Sequence, residues 1–129
     1  MILTLLKNVK VGVLQEDGTG KEMSIGESPY YRALAEFDRR HFDDYRCITA
    51  KVSGTPLDEM RWFTFAQMAQ DIERRGFIVR NPRIRFTSEL VALDGHHRLA
   101  ILLYIYGPEL GLQIENNELC AIWVKSNKS

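Results

Sequence analysis

The residues best suited to chemistry stand together in the segment Asp94-Gly95-His96-His97-Arg98. They follow a short apolar run, Leu90 to Leu93, and they precede a longer apolar run, Leu99 to Tyr106, that stops at Gly107. This pattern predicts a strand, a tight turn and a buried helix. The turn then places two imidazoles and a guanidinium at a helix N-terminus, where unpaired backbone N–H groups and the helix dipole favour an anion.

These residue types suit the binding of phosphate. Arg98 can hold two phosphate oxygens through parallel N–H groups, and His96 and His97 can add donors. Gly95 lets the backbone approach a phosphate closely. Asp94 has three open roles, since it could cap the helix, bind a Mg²⁺ that bridges phosphates, or act as a base. The alternative for the two histidines is that they are surface residues of the first helical turn.

Several classes of protein are not expected. Zinc is disfavoured because adjacent side chains on a helix point about 100° apart and no third ligand has suitable spacing, so we predict no metal site in the protein itself. Cys47 and Cys120 are isolated, which indicates a reducing, cytoplasmic setting. Lys plus Arg and Asp plus Glu each number 17, so nucleic acid is not the expected partner. We see no signal peptide and no run long enough to span a membrane.

The N-terminal part of the chain is predicted to form strands and a helix. Residues 2–6 and 9–14 favour a strand or a hairpin. The glycine-containing stretch 16–20 predicts a hairpin turn rather than a phosphate loop, because the further glycine and the Lys-Ser/Thr pair of such loops are missing. Ser28 and Pro29 are typical of the first residues of a helix.

A charged stretch, 38–46, predicts a solvated helix face or a turn between helices. Aromatic residues in and before it predict core packing, with a pocket wall as the alternative. They are Tyr30, Tyr31, Phe37, Phe42 and Tyr45. This aromatic segment could equally pack against a second copy of the chain, which would make a homodimer. The break at Ser53-Gly54-Thr55-Pro56 then separates an N-terminal portion from the rest.

The residues that precede the segment Asp94 to Arg98 predict a helix and a hairpin. Thr64 and Gln67 form a capping-box pattern for a helix at about 65–75, which Gly76 ends. Residues 84–86 predict a short strand that turns back into 90–93. After Gly107 we expect a polar loop and a final strand at 119–124.

This order of elements resembles the ParB/sulfiredoxin superfamily. The resemblance covers roughly residues 57–124, and residues 1–53 are interpreted as an N-terminal extension within a single domain, 1–129. It implies an α+β fold with a small mixed sheet and packed helices. It also implies that the turn at Gly95-His96-His97-Arg98 holds nucleotide phosphates.

The branches of this superfamily differ in what accompanies the turn. Sulfiredoxins carry a catalytic cysteine directly after the glycine, where this chain has His96, so we do not expect their redox chemistry. Chromosome-partitioning members bind CTP and DNA, typically with a Gly-Glu-Arg-Arg-like motif and a helix-turn-helix domain, which we also do not expect here. The Asp-Gly-His-His-Arg motif is closest to the small-molecule kinases, which include free-serine kinases.

The kinase branch implies ATP or ADP with Mg²⁺ and a small hydroxyl substrate such as a sugar or an amino acid. In that branch an acidic residue before the first matched helix acts as the base, and Asp58 or Glu59 stands at that place. An exposed acidic turn is the alternative for both residues. Arg61 and Arg83 could add phosphate contacts or be ordinary surface arginines. Two other functions stay open: a non-catalytic nucleotide-binding regulatory module and, with less support, a DNA-binding or nuclease protein.

Overall fold

The computed structural model describes residues 1–54 and 62–124 and confirms the α+β class predicted from the sequence. Short 3-10 turns at Leu6–Asn8 and Ile25–Glu27 separate some of the elements. The strands and helices, in chain order, are β1 (Ile2–Leu5), β2 (Lys10–Leu14), β3 (Gly20–Ser24), α1 (Pro29–Ala35), α2 (Arg40–Ser53), α3 (Trp62–Arg75), β4 (Val91–Ala92), α4 (His96–Tyr106), β5 (Gly111–Glu115) and β6 (Glu118–Trp123).

The strands form two small sheets. One sheet has the order β1-β5-β6 and is antiparallel throughout. The other has the order β3-β2-β4, in which β2 runs antiparallel to β3 and parallel to β4. Since β1 and β2 belong to different sheets, the N-terminal 14 residues do not pair with each other as a hairpin. The hairpin turn predicted at 16–20 is confirmed, because it joins β2 to β3.

The helices begin and end largely where local signals place them. Ser28 caps α1, with its Oγ accepting a hydrogen bond from the Tyr31 N–H at 3.4 Å, and Pro29 is the first helical residue. Gly76 ends α3, and its N–H donates to the Ile72 carbonyl. The predicted cap at Thr64 is wrong, because α3 already includes Trp62. A tertiary contact explains this, since Trp62 packs against Phe42 of α2.

The hairpin before α4 is shorter than predicted. Phe86 forms an antiparallel bridge to Ala92, and Arg85 bridges to Glu118, but residues 84–86 do not extend into a regular strand. The loop predicted after Gly107 is wrong in part, because it contains β5. Asn116 and Asn117 both have positive φ, as in the two-residue turns that join antiparallel strands, and they connect β5 to β6.

The core lies where the helices and both sheets meet. One cluster of buried side chains takes residues from both ends of the chain, including Leu6, Val11 and Leu112. Phe65 of α3 is fully buried in it. The middle of α4 contributes four residues with 0% exposure, which are Leu99, Ala100, Ile101 and Leu102. The apolar α4 predicted from the sequence is therefore confirmed as a buried helix, and its N-terminus is held in a fixed position.

Candidate functional site

Asp94 fixes the turn that leads into α4. Its Oδ1 accepts a hydrogen bond from the Arg85 backbone N–H at 2.8 Å, and its Oδ2 accepts one from Arg85 Nε at 2.9 Å. Burial raises the pKa of Asp94, but these hydrogen bonds and the charges of Arg85 and Arg98 outweigh it and lower the pKa overall. Asp94 does not cap the helix as one prediction had it, because Gly95 occupies the cap position and no described side chain caps α4.

Gly95 is required here by both conformation and space. Its φ is +75°, in the left-handed region that favours glycine. An added Cβ would lie 2.6 Å from Ile84 Cγ1, which is closer than real side chains approach. The turn therefore packs tightly on Ile84, and no described side chain caps the N–H groups of the first turn of α4.

The first three side chains of α4 enter three different environments, because successive residues on a helix diverge by about 100°. His96 lies toward β4. Burial lowers the pKa of His96, although a hydrogen bond to the Ala92 carbonyl acts in the opposite direction. His97 packs among aromatic rings, and Arg98 lines a cavity. The side chains of His96, His97 and Arg98 therefore do not form one continuous surface.

His97 belongs to a buried aromatic cluster built from α1, α2, α3 and α4. Its imidazole lies 4.2 Å from the Tyr30 ring between centroids, with 31° between the planes. The cluster consists of Tyr30, Phe42, Tyr45, Trp62, Phe65 and His97. The core packing predicted for Tyr30, Phe42 and Tyr45 is confirmed, whereas Phe37 is 84% exposed.

The His97 ring is neutral at neutral pH. Burial, assisted by the nearby charges of Arg46 and His96, lowers the pKa of His97 to about 4. Its Nε2 is buried and has no hydrogen-bond partner among the described residues. This placement differs from the predicted role of His97 as a phosphate donor, because the ring faces the aromatic cluster rather than the cavity that Arg98 lines.

The Arg98 cavity has a volume of about 630 Å³. It is bounded by one face of α3 from Thr64 to Arg75, by the segment 76–82 and by Arg98 near the start of α4. Apolar side chains from Ile72, Phe77 and Ile78 form part of its wall. Burial lowers the pKa of Arg98, although Asp94 acts in the opposite direction, and the guanidinium keeps its charge at neutral pH.

The charge of this cavity, hereafter the arginine cavity, is mainly positive. Arg75 and Arg80 line it together with Arg98, and Asp71 is the carboxylate that stands against them. None of these four side chains forms an ion pair with another described residue. Three guanidinium groups that form no ion pair with another described residue can bind an anion with several negative oxygens, such as a chain of phosphates.

Arg75, Arg80 and Asp71 were not predicted from the sequence. Arg75 stands just before the helix-ending Gly76, and Arg80 follows in a loop, so neither belongs to a recognisable motif. Their convergence on Arg98 depends on how α3 packs against α4. The only local signal is that arginines flank a glycine turn, which is common on protein surfaces.

The other residues predicted from the sequence lie outside the arginine cavity or outside the described residues. Asp58, Glu59 and Arg61 lie outside the described residues. Arg83 is not among the described residues that line the arginine cavity, and its Nη1 lies 3.7 Å from Cys120 Sγ. Cys47 and Cys120 are both free thiols. Within residues 1–54 and 62–124 no three His, Cys, Asp or Glu side chains are grouped so that they could hold a metal ion.

Comparisons with protein families, with curated proteins and with solved structures found no match to this chain. Among the described residues, no helix has the length and apolar character needed to cross a membrane.

Proposed function

We propose that the protein binds the phosphates of ATP or ADP in the arginine cavity and transfers a phosphoryl group to a small hydroxyl compound. The observation that carries the proposal is the convergence of Arg75, Arg80 and Arg98 on one cavity without counter-ions among the described residues. The resemblance of Asp94-Gly95-His96-His97-Arg98 to the small-molecule kinases of the ParB/sulfiredoxin superfamily supports the transfer step.

The size and lining of the cavity suit a nucleotide. Its volume of about 630 Å³ lies within the range of small-molecule pockets, roughly 300–1,000 Å³. Phosphate oxygens would contact the guanidinium groups and the open N–H groups at the start of α4. The apolar wall of Ile72, Phe77 and Ile78 offers a surface for a base or a ribose.

Two carboxylates could hold the Mg²⁺ that such a nucleotide brings. Asp71 lines the cavity, whereas Asp94 binds Arg85 and is not among the described lining residues, although it is close enough to Arg98 for their charges to interact. Mg²⁺ in kinase sites is usually held by one or two carboxylates and the substrate phosphates, so Asp71 fits it and Asp94 could add a second ligand only from beside the cavity. When bound, the ion neutralises charge on the phosphates.

The residues divide the work of transfer unequally. Arg98, Arg75 and Arg80 hold and orient the phosphates, which is the main requirement of phosphoryl transfer. Asp94 is anionic but has a lowered pKa, so it is a weak base and is better suited to orienting Arg85 or binding the cation. Asp58 or Glu59 remains the predicted base toward the acceptor hydroxyl.

Nucleotide-dependent thermal unfolding tests the binding step. We expect ATP or ADP with Mg²⁺ to raise the melting temperature of the wild type, because a ligand at about 100 times its Kd stabilises the folded state by about 2.7 kcal/mol, which corresponds to roughly 10 °C for a chain of this length. Arg98→Ala and Arg75→Ala should lose most of this shift. Arg74→Ala is the matched control, since Arg74 is exposed on the same helix and outside the described cavity lining.

The outcomes separate the candidate functions. If neither ATP, ADP nor CTP raises the melting temperature of the wild type, the protein does not bind phosphates in this cavity. Nucleotide turnover with a panel of hydroxyl metabolites supports the phosphotransferase, whereas tight binding without turnover supports the regulatory module. Salt-dependent retention on DNA would favour the third function.

A further inference from the structure

A groove separate from the arginine cavity lies between the β2–β3 hairpin and the helices α1 and α2. Its volume is about 620 Å³, and none of its described lining residues lines the arginine cavity. Its floor consists of buried and partly buried apolar side chains from both strands and both helices, namely Val13, Leu14, Met23, Pro29, Tyr45 and Ile48. The groove is nearly as large as the arginine cavity and has room for a second ligand.

The rim of this groove is acidic, so we call it the acidic groove. Its carboxylates come from the hairpin turn, from the 3-10 turn before α1 and from α2, and they are Glu16, Asp17, Glu27 and Asp44. All four residues are exposed, and none forms an ion pair with another described residue. Two hydrogen bonds from Thr19 lower the pKa of Asp17, so this carboxylate is charged at neutral pH.

The cations beside the acidic groove are paired with other carboxylates. Arg32 and His41 line the groove, but both contact Glu36, at 2.9 Å and 3.1 Å between nitrogen and carboxylate oxygen, and Glu36 is not among the described lining residues. Arg40 is near enough to Asp44 for their charges to interact, yet its guanidinium pairs with a different carboxylate. The described lining therefore keeps a surplus of negative charge, which favours a cationic ligand.

The acceptors are spread along the groove rather than gathered at one point. In the part of the chain that the structure describes, no three His, Cys, Asp or Glu side chains are grouped so that they could hold a metal ion. On α2 the lining runs from His41 to Ile48, which is about 10 Å of helix. Gln15 also lines the groove, and its side-chain oxygen accepts no hydrogen bond from another described residue. Separated acceptors around an apolar floor suit an elongated ligand whose positive groups are joined by a hydrocarbon chain.

We propose that the acidic groove binds a small alkyl polyamine, that is, a short hydrocarbon chain that carries more than one ammonium group. The methylene groups of the ligand cover the apolar floor and remove it from water. Its ammonium groups donate charge-assisted hydrogen bonds to the carboxylates of the rim. The site does not depend on nucleotide binding, because it shares no described lining residue with the arginine cavity.

Isothermal titration calorimetry with spermidine and with putrescine, at constant ionic strength and without nucleotide, tests the site. We expect saturable binding to the wild type, and tighter binding of spermidine, because its additional ammonium group reaches a further carboxylate. Asp44→Asn and Glu27→Gln should each weaken the binding of spermidine by about three- to fivefold, which is the effect of losing one exposed charge pair. These two residues lie on different elements, so one variant still gives a result if the other does not fold.

Asp43→Asn is the matched control. It removes the same charge from the neighbouring residue of α2, but Asp43 pairs with Arg39 at 3.1 Å and is outside the described lining of the groove. The binding of spermidine should keep its strength in this variant, whereas a general attraction to surface charge would weaken equally in Asp43→Asn and Asp44→Asn. Arg98→Met should also keep it, which separates the acidic groove from the arginine cavity even if no nucleotide binds there. Mg²⁺, which has charge but no hydrocarbon chain, should bind more weakly than spermidine.

Saturable binding that Asp44→Asn or Glu27→Gln weakens and Asp43→Asn does not weaken supports the site. The proposal is overturned if neither polyamine binds in a saturable manner, if Asp43→Asn weakens binding as much as Asp44→Asn does, or if Mg²⁺ binds as tightly as spermidine.

Discussion

His97 and Arg98 are adjacent in one motif, but one is neutral and the other is charged, because their side chains have different neighbours. Arg98 keeps its charge and lines a cavity with two further arginines. His97, one position earlier, is a neutral ring stacked on Tyr30. Burial is the main cause of the low pKa of His97, because the charged imidazolium would lose its hydration in this apolar cluster without gaining a compensating contact. The motif therefore supplies one charged cavity residue, Arg98, and one core residue, His97.

The low pKa of His97 makes the stability of the protein depend on pH. Because the pKa of its imidazole is about 4 in the folded state and 6.5 in an unfolded chain, the unfolded state binds more protons between these two values. The stability is complete above pH 6.5 and falls as the pH is lowered toward 4, by up to about 3 kcal/mol. Urea unfolding at pH 7, 6 and 5 measures this loss.

His97→Phe should flatten that profile between pH 7 and 5, because phenylalanine keeps an aromatic ring in the cluster and cannot take up a proton. Some dependence should remain, since burial also lowers the pKa of His96. His41→Gln, which changes a histidine that contacts Glu36 at the surface, should leave the profile steep. An unchanged slope in His97→Phe would show that His97 is not buried in its neutral form.

At the scale of elements, α4 is held to the preceding hairpin by two contacts. The Asp94 carboxylate binds both the backbone and the guanidinium of Arg85. Gly95 lies directly on Ile84, with no room for a side chain. These contacts set where the α4 N-terminus points, and hence where Arg98 lies.

Gly95→Ala should destabilise the protein by about 2–4 kcal/mol, through the cost of a left-handed backbone and of overpacking against Ile84. Gly12→Ala is the matched control, because no described atom lies within 4 Å of its added Cβ and its φ is not positive. Denaturant unfolding gives both values. In Ile84→Ala the same glycine substitution should cost less, since the clash is then removed; an equal cost in both backgrounds would contradict the packing argument.

Local signals predicted some elements well and others poorly. The cap at Ser28, the end of α3 at Gly76 and the buried α4 follow from residues close in the chain. The strand β5 was missed because Gly111–Glu115 is short and contains polar residues, although Asn116-Asn117 is a hairpin signal. The start of α3 was placed too late, because the packing of Trp62 outweighs the capping pattern at Thr64.

At the scale of the whole molecule, the N-terminal residues are part of both sheets. The strand β1 pairs with β5, and β2 pairs with β4, which directly precedes the segment Asp94 to Arg98. Within the N-terminal portion, the Tyr45 hydroxyl of α2 accepts a hydrogen bond from the Leu14 N–H at 3.0 Å, which joins α2 to the end of β2. The portion interpreted as an N-terminal extension thus contacts the C-terminal elements along much of its length.

This connectivity predicts a single cooperative unfolding transition. Trp62 lies in the aromatic cluster, and Trp123 covers Gly111 in the sheet β1-β5-β6. The variants Trp62→Phe and Trp123→Phe each leave one tryptophan, so fluorescence reports one region at a time. For each variant the fluorescence and circular dichroism midpoints in urea should coincide. Separated midpoints would show that the two regions unfold independently.

The sequence alone determined the fold class, the turn at Asp94-Gly95 and the buried helix behind it, because these depend on hydrophobic spacing and on residues next to each other. It also predicted Arg98 as an anion ligand. Only the tertiary structure shows that Arg75, Arg80 and Asp71 line the same cavity as Arg98. It also shows that the His97 ring packs in the aromatic cluster. The physical reason is that the helical twist separates neighbouring side chains by about 100°, so the packing of α1, α2 and α3 around α4 decides what each one meets.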